Sequence, residues 1–306
     1  MNIFITGIAG FIGSSLAKRL KEKKYKVFGI DNLFSGNEKN IPKNVKWKKM
    51  DIRNKEDFKK IPKNFEIIIH TAAQPSAAKS FLMPLYDQET NVNGTYNVYK
   101  FAKNCRAKLM INLSSMAVYG SPKKTRIINE NYEPRPVSLY GNSKLCAEKM
   151  LEILSKYDKI PVINLRLFNV YGPGQNINEL DQGMASIYLH YLLYKKQILV
   201  KGTLDRIRDF IYIDDVVDAV ALIINSNLYK SNTFNISSKS TTSVKNLIKL
   251  LELIVQKKKK IIFGKATPGD IFGFGGNNDK FKKTYKWKTR FGLRKGLKIM
   301  SNYYQI

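Results

Sequence analysis

Ile3-Phe4-Ile5-Thr6-Gly7-Ile8-Ala9-Gly10-Phe11-Ile12-Gly13 stands at the start of the chain, and its reading decides the fold. A short apolar run leads into three glycines at i, i+3 and i+6, and Ser14-Ser15-Leu16-Ala17-Lys18-Arg19-Leu20 continues as a helix. Gly7 allows the tight turn, Gly10 lets a pyrophosphate approach the backbone, and Gly13 lets helix and strand pack closely. The helix N-terminus, with Phe11 and Ile12 in its first turn, turns unpaired N–H groups and a partial positive charge toward phosphates. A second run, Tyr25-Lys26-Val27-Phe28-Gly29-Ile30, ends in Asp31, about as far downstream as a ribose-binding acid should lie. A carboxylate there repels a 2′-phosphate, and no Arg or Lys follows it immediately. The pattern therefore selects NAD over NADP as cofactor.

Outward from this unit, strand and helix patterns alternate. Val45 to Met50, Ile67 to His70, Leu109 to Leu113 and Val162 to Leu167 read as further strands. The expectation is an α/β fold built on a doubly wound parallel sheet. From about Asn169 to Gly183 the composition turns to glycine, proline and polar residues, which marks the crossing into a smaller, interleaved α/β substrate lobe. The expected division is 1–168 with 209–232 for the dinucleotide-binding domain, and 169–208 with 233–306 for the lobe. A cleft between them would take a large ligand.

A second signature handles a proton. Tyr140-Gly141-Asn142-Ser143-Lys144 puts a phenol and an ammonium one helical turn apart. An ammonium close to a phenol favours the phenolate, lowering a tyrosine from about 10 toward neutrality. Such pairs are common on surfaces. Ser115 sets this one apart, because it ends the run Leu109-Met110-Ile111-Asn112-Leu113 at the carboxyl edge of a strand, where open α/β sheets bind ligands. Ser115, Tyr140 and Lys144 are the candidate catalytic residues.

Composition bounds the alternatives. The chain has 306 residues, 43% of them hydrophobic, and no apolar run approaches a membrane span. The first strand begins at Ile3, which leaves no room for a signal peptide, so the expected address is the cytoplasm. Cys105 and Cys146 lack metal-ligand spacing and read as free thiols; no metal is expected. The net charge of +29 would ordinarily raise nucleic acid as a partner. Of the 53 basic residues only 10 are Arg, and the lysines are scattered, so no specific nucleic-acid site is expected.

On these motifs the chain resembles the extended short-chain dehydrogenase/reductase family, in its NAD-dependent sugar-nucleotide epimerase/dehydratase branch, a Rossmann fold. Beyond the stretches already quoted, the resemblance rests on Asp31-Asn32-Leu33, Asp51-Ile52-Arg53, His70-Thr71-Ala72-Ala73-Gln74 and Asn91-Val92-Asn93-Gly94-Thr95. It continues through Ser114 to Gly120, Arg166 to Gly174 and Arg208 to Asp215. It implies that Asn32 joins Asp31 in the cofactor site, that Asp51 and Ile52 contact the adenine, and that Ala72 and Ala73 line the cleft. Tyr140 and Lys144 would also touch the cofactor, Lys144 through its ribose. Asn169 and Arg208 would hold the phosphates of a nucleoside-diphosphate sugar, and the protein would be a homodimer.

Within that family the 4,6-dehydratases place Asp-Glu after the residue matching Ser115. Met116-Ala117 stands here, and neither residue can transfer a proton. Epimerisation remains, with C4 preferred through a 4-keto intermediate. The alternatives are an NADH-dependent 4-keto-sugar reductase, a C2 epimerase suggested by Gln74-Pro75-Ser76, and a non-catalytic NAD-responsive binding protein. One departure concerns the phosphates: many relatives carry Arg before a Pro-Gly-Asp turn, and here Thr267 precedes Pro268-Gly269-Asp270. Arg206 is the candidate substitute.

Overall fold

A computed structural model of the chain describes residues 1–122 and 127–305. Its strands in chain order are β1 (Asn2–Thr6), β2 (Lys26–Asp31), β3 (Lys46–Lys49), β4 (Ile67–His70), β5 (Leu109–Ser115), β6 (Ile127–Ile128) and β7 (Val162–Leu167). They continue as β8 (Asn169–Tyr171), β9 (Gln197–Lys201), β10 (Ile207–Tyr212), β11 (Asn232–Ile236), β12 (Thr241–Ser243), β13 (Lys260–Gly264) and β14 (Gly275–Gly276). Seven of these form one parallel sheet in the order β11-β7-β5-β4-β1-β2-β3. The chain steps outward from β1 through β2 to β3, then returns to β4 on the other side. The carboxyl ends of β1 and β4 therefore border the crevice where such sheets bind ligands.

Both faces of the sheet are covered, which explains its near-continuous apolar strands. Ile3 and Ile5, Ile67 and Ile69, Leu109 and Ile111 pack on one side with Leu16, Leu20, Val216 and Val220. The alternate residues Phe4, Ile68 and Met110 pack on the other with Val98, Phe101 and Leu151. A period of two along each strand thus splits one apolar run between two helical layers.

Outside the central sheet lie the β12-β10-β8 sheet, the β13-β9 pair and helices Met184–Tyr194, Val244–Val255 and Leu293–Tyr304. Their core joins that of the main sheet: Leu189, Ile198, Val200, Leu247 and Leu251 belong to the same apolar cluster as Ile3 and Ile5. Residues 209–212 lie in β10, beside β8, whereas β11 runs past the expected boundary at 232 and adds to the central sheet beside β7, with Phe234 opposite Leu165. An alternation as short as Thr233-Phe234-Asn235-Ile236 does not say which sheet it joins. No helix among the described residues is long and apolar enough to cross a membrane.

Candidate active site

The turn after β1 is shaped by contact with its neighbours. Gly7 has φ +71°, and a Cβ there would lie 2.7 Å from the Ala72 nitrogen. A Cβ on Gly13 would come within 2.1 Å of the Gly7 carbonyl oxygen. Gly10 is different: within 4 Å its Cβ would meet only the Gly7 oxygen, at 3.2 Å, and the residue borders a cleft. Packing demands glycine at 7 and 13, whereas at 10 the space opens into the cleft. Helix Phe11–Glu22 begins with no side-chain cap and no acid in its first turn. Its leading N–H groups are thus free for an anion.

Asp31 ends β2 at the same cleft. Its carboxylate accepts from Ala9 N at 2.9 Å and Leu33 N at 2.8 Å. Burial pushes its pKa up, and those two backbone bonds oppose the shift. Phe11, Ile12, Asn32, Ile52, Ala72 and Ala73 also line the cleft. Asp51 does not. It stands behind Asn32, accepting from Asn32 Nδ2 at 3.0 Å and from the Arg53 backbone and guanidinium at 2.9 Å. Burial would raise its pKa, but those bonds outweigh it and the net shift is downward. Its place makes it a buttress for Asn32, with Ile52 and Met50 supplying the apolar wall.

Ser115 ends β5, and its Oγ accepts from Ala117 N at 3.1 Å to start the next turn. Helix Leu139–Asp158 is capped by Ser138, whose Oγ accepts from Gly141 N at 3.0 Å. A Cβ on Gly141 would lie 2.5 Å from the Ala117 oxygen, so this helix seats directly on the turn after Ser115. That contact brings Tyr140 beside Ser115, and Lys144 follows one turn on. Ser115, Tyr140, Met116 and Asn169 border both the cofactor cleft and a second cavity reaching into the lobe.

The electrostatics here differ from the sequence expectation. Burial pushes the Tyr140 phenol above its ordinary value; the Ser115 hydroxyl pulls it down and the Asp87 carboxylate pushes it further up. Within the protein alone the net shift of the Tyr140 phenol is upward, because desolvation outweighs the Ser115 hydrogen bond. Lys144 is itself lowered to about 8 by burial, with Glu148 and Asp87 opposing. Asp87 was not legible as a site residue. It accepts from Gln74 Nε2 at 2.7 Å and from Asn91 Nδ2 at 3.2 Å, and Asn91 Nδ2 also reaches Ser143 Oγ at 3.0 Å. This buried network ties the loop after β4 to the Tyr140 helix. The available signal was the i, i+4 spacing of Asp87 and Asn91. His70 lies deeper, bonded to Thr6 Oγ1 at 2.8 Å and Thr95 Oγ1 at 2.9 Å, and takes no part in the cleft.

At the far end of the second cavity, Arg206 and Arg208 converge on Asp270. Arg208 Nη2 donates to Asp270 Oδ1 at 2.6 Å, and Arg206 Nη1 donates to the other oxygen. Neither Asp205 nor Asp209 takes Arg208. Burial pulls Arg208 below the usual guanidinium value; Asp270 opposes this and Arg206 adds to it. Two buried guanidiniums share one carboxylate, which leaves a positive charge in a wall that Thr267 also borders. Asn169 Nδ2 is held by the Asp209 carbonyl at 2.8 Å.

The chain as a whole is similar to known proteins. The profile of a family described as the NAD dependent epimerase/dehydratase family matches residues 3–237. A Thermotoga maritima UDP-glucose 4-epimerase, solved with UDP-glucose, is 31% identical, with a TM-score of 0.95 over 100% of this chain and 99% of its own. A Thermus thermophilus UDP-glucose 4-epimerase in complex with NAD is 25% identical, with a TM-score of 0.92 and the same coverage. A Bacillus cereus UDP-glucuronic acid 4-epimerase, complexed with UDP-glucuronic acid and NAD, is 27% identical, again with a TM-score of 0.92 and that coverage.

Proposed function

Because the chain belongs to the NAD-dependent epimerase/dehydratase family, we propose that it is an NAD-dependent epimerase that inverts C4 of a UDP-linked sugar through a transient 4-keto intermediate. The observation that carries this reading is the meeting of Ser115 and Tyr140 where the cofactor cleft joins the second cavity, with Lys144 one helical turn on in the cleft wall. NAD, when bound in the Gly7–Gly13 turn, supplies the hydride acceptor and afterwards the donor, so the cycle needs no external reductant.

Tyr140 accepts the proton of the C4 hydroxyl as the C4–H bond breaks, and Ser115 hydrogen-bonds the same oxygen. Burial lifts Tyr140, and Lys144, one helical turn away, carries the positive charge that would favour its phenolate in the loaded site. Lys144 would also hold the cofactor ribose, and Asp31 and Asn32, which line the same cleft, would hold the adenosine side. Arg206, Arg208 and Asn169 keep the diphosphate fixed while the keto sugar turns, so that hydride and proton return on the opposite face. Binding energy far from C4 is what permits that rotation without release. The protein acts as a homodimer; Ile153 and Tyr157 lie exposed one turn apart on the Tyr140 helix, and Leu82 and Leu85 are exposed on the short helices that contact it.

The test is to incubate purified protein with UDP-glucose or UDP-galactose without added cofactor, and to analyse the denatured extract for NAD(H). Interconversion at C4 with retained NAD is the expected result. Stoichiometric consumption of added NADH on a 4-keto sugar would replace the epimerase by the reductase, and inversion at C2 would move the chemistry to that carbon.

A further inference from the structure

The second cavity has ends of opposite charge. Arg206 and Arg208 against the single carboxylate of Asp270, with Lys201 nearby in the wall, make the lobe end positive. Near Tyr140 the charges cancel: Lys144 stands against Asp87, and Arg166 pairs with Glu148 at 2.7 Å. One group is left over. Asp181 lines the cavity immediately before Gln182-Gly183-Met184, and those three residues border the cofactor cleft as well. Ser76, next to Pro75 that also borders both spaces, donates its Oγ–H to the Asp181 carbonyl at 3.3 Å. Asp181 therefore belongs to the end where the sugar meets the cofactor.

Its charge is incompletely neutralised. Lys79 Nζ lies 3.1 Å from Asp181 Oδ2 and equally 3.1 Å from Glu179 Oε2, so one ammonium serves two carboxylates. Asp181 Oδ1 is sealed from solvent and has no hydrogen-bond partner among the described residues. Apart from the shared Lys79, no N–H donor among the described residues reaches the Asp181 carboxylate, and the partly buried setting weakens screening by water.

We propose that Asp181 is a specificity-determining residue that excludes an anionic sugar, restricting the site to nucleotide-linked sugars without a carboxylate. The cavity then sorts its ligand by polarity: the diphosphate is drawn to the arginine pair, and a second anion on the sugar is repelled at the other end. This inference rests on the sugar-nucleotide reading above. It separates the two kinds of substrate named for the similar structures, UDP-glucose and UDP-glucuronic acid, in favour of the first.

The experiment is calorimetric titration of UDP, UDP-glucose and UDP-glucuronic acid into NAD-loaded protein. Wild type should bind UDP-glucose at least tenfold tighter than UDP-glucuronic acid. Asp181→Asn, which preserves shape, should shrink that ratio at least fivefold by tightening the uronate while leaving UDP unchanged. Lys79→Met, which unmasks the carboxylates, should widen it, and thermal unfolding of each variant reports whether it folds. Equal or tighter binding of the uronate by wild type, or ratios unmoved by both variants, would overturn the proposal. Absence of UDP binding would instead overturn the sugar-nucleotide reading and the inference with it.

Discussion

Gly10→Ala and Gly13→Ala make a matched pair, each adding one methyl group to the same turn. At Gly13 the new carbon would lie 2.1 Å from the Gly7 carbonyl and 3.0 Å from Thr71 Oγ1. The backbone cannot yield that far without moving β1 from the helix, so overpacking should cost about 1–3 kcal/mol or more. Better helix propensity of Ala returns only about 1 kcal/mol. At Gly10 the backbone is extended (φ −76°), and the methyl meets only one protein atom, at 3.2 Å. There Ala is tolerated in the folded chain, its poorer capping offset by about 0.4–1 kcal/mol from the less flexible unfolded state. The methyl points instead at the space a pyrophosphate would fill. If the overpacking cost falls on the ligand, NAD binding weakens by about 1–3 kcal/mol, or roughly 5- to 150-fold. Denaturant unfolding and NAD titration on both variants separate the two effects. Near-wild-type NAD affinity in Gly10→Ala, or wild-type stability in Gly13→Ala, would refute this account of the turn.

Tyr140→Phe should lower turnover by roughly 10²- to 10⁴-fold and leave NAD affinity largely intact, whereas Lys144→Ala should damage both; steady-state kinetics beside NAD titration would show it. Arg206→Ala and Arg208→Ala should each weaken UDP binding by about 1.5–3 kcal/mol without changing NAD affinity, and a calorimetric null for Arg206 would mean that Thr267 goes uncompensated. His70 titrates near 3 in the folded chain because burial disfavours its charged form, with Lys144 adding to the effect. Between pH 6.5 and 3 the unfolded state therefore binds the extra proton, and the contribution of His70 to stability falls as pH drops below 6.5. At pH 5 the stability gap between wild type and His70→Gln should be smaller than at pH 7 by about 2 kcal/mol, measured by urea unfolding. Asp209, raised to about 6 by burial, acts in the opposite sense in both proteins and cancels in the comparison. Tyr157→Glu should shift a dimer toward monomer in sedimentation while preserving the fold.

Local patterns carried much of this protein into view. The spacing of Gly7, Gly10 and Gly13 and the acid at Asp31 specify a dinucleotide turn because each requirement is met within one strand–turn–helix unit. Tyr140 and Lys144 were legible for a similar reason, since one helical turn relates them whatever surrounds the helix. What burial and long-range contact decide was hidden. The Tyr140 pKa moves opposite to the expectation because its sign depends on desolvation by residues distant in sequence. Asp51 turns behind Asn32 because Arg53 and Asn32 claim both its oxygens. The partner of Arg208 is Asp270, 62 residues away, rather than its neighbours Asp205 and Asp209. Strand Asn232–Ile236 joins the central sheet through register with β7, a choice that its own alternation cannot express. Periodicity and backbone sterics act over a few residues and can be read along the chain, whereas charge balance, desolvation and strand pairing depend on which distant residues the fold brings together.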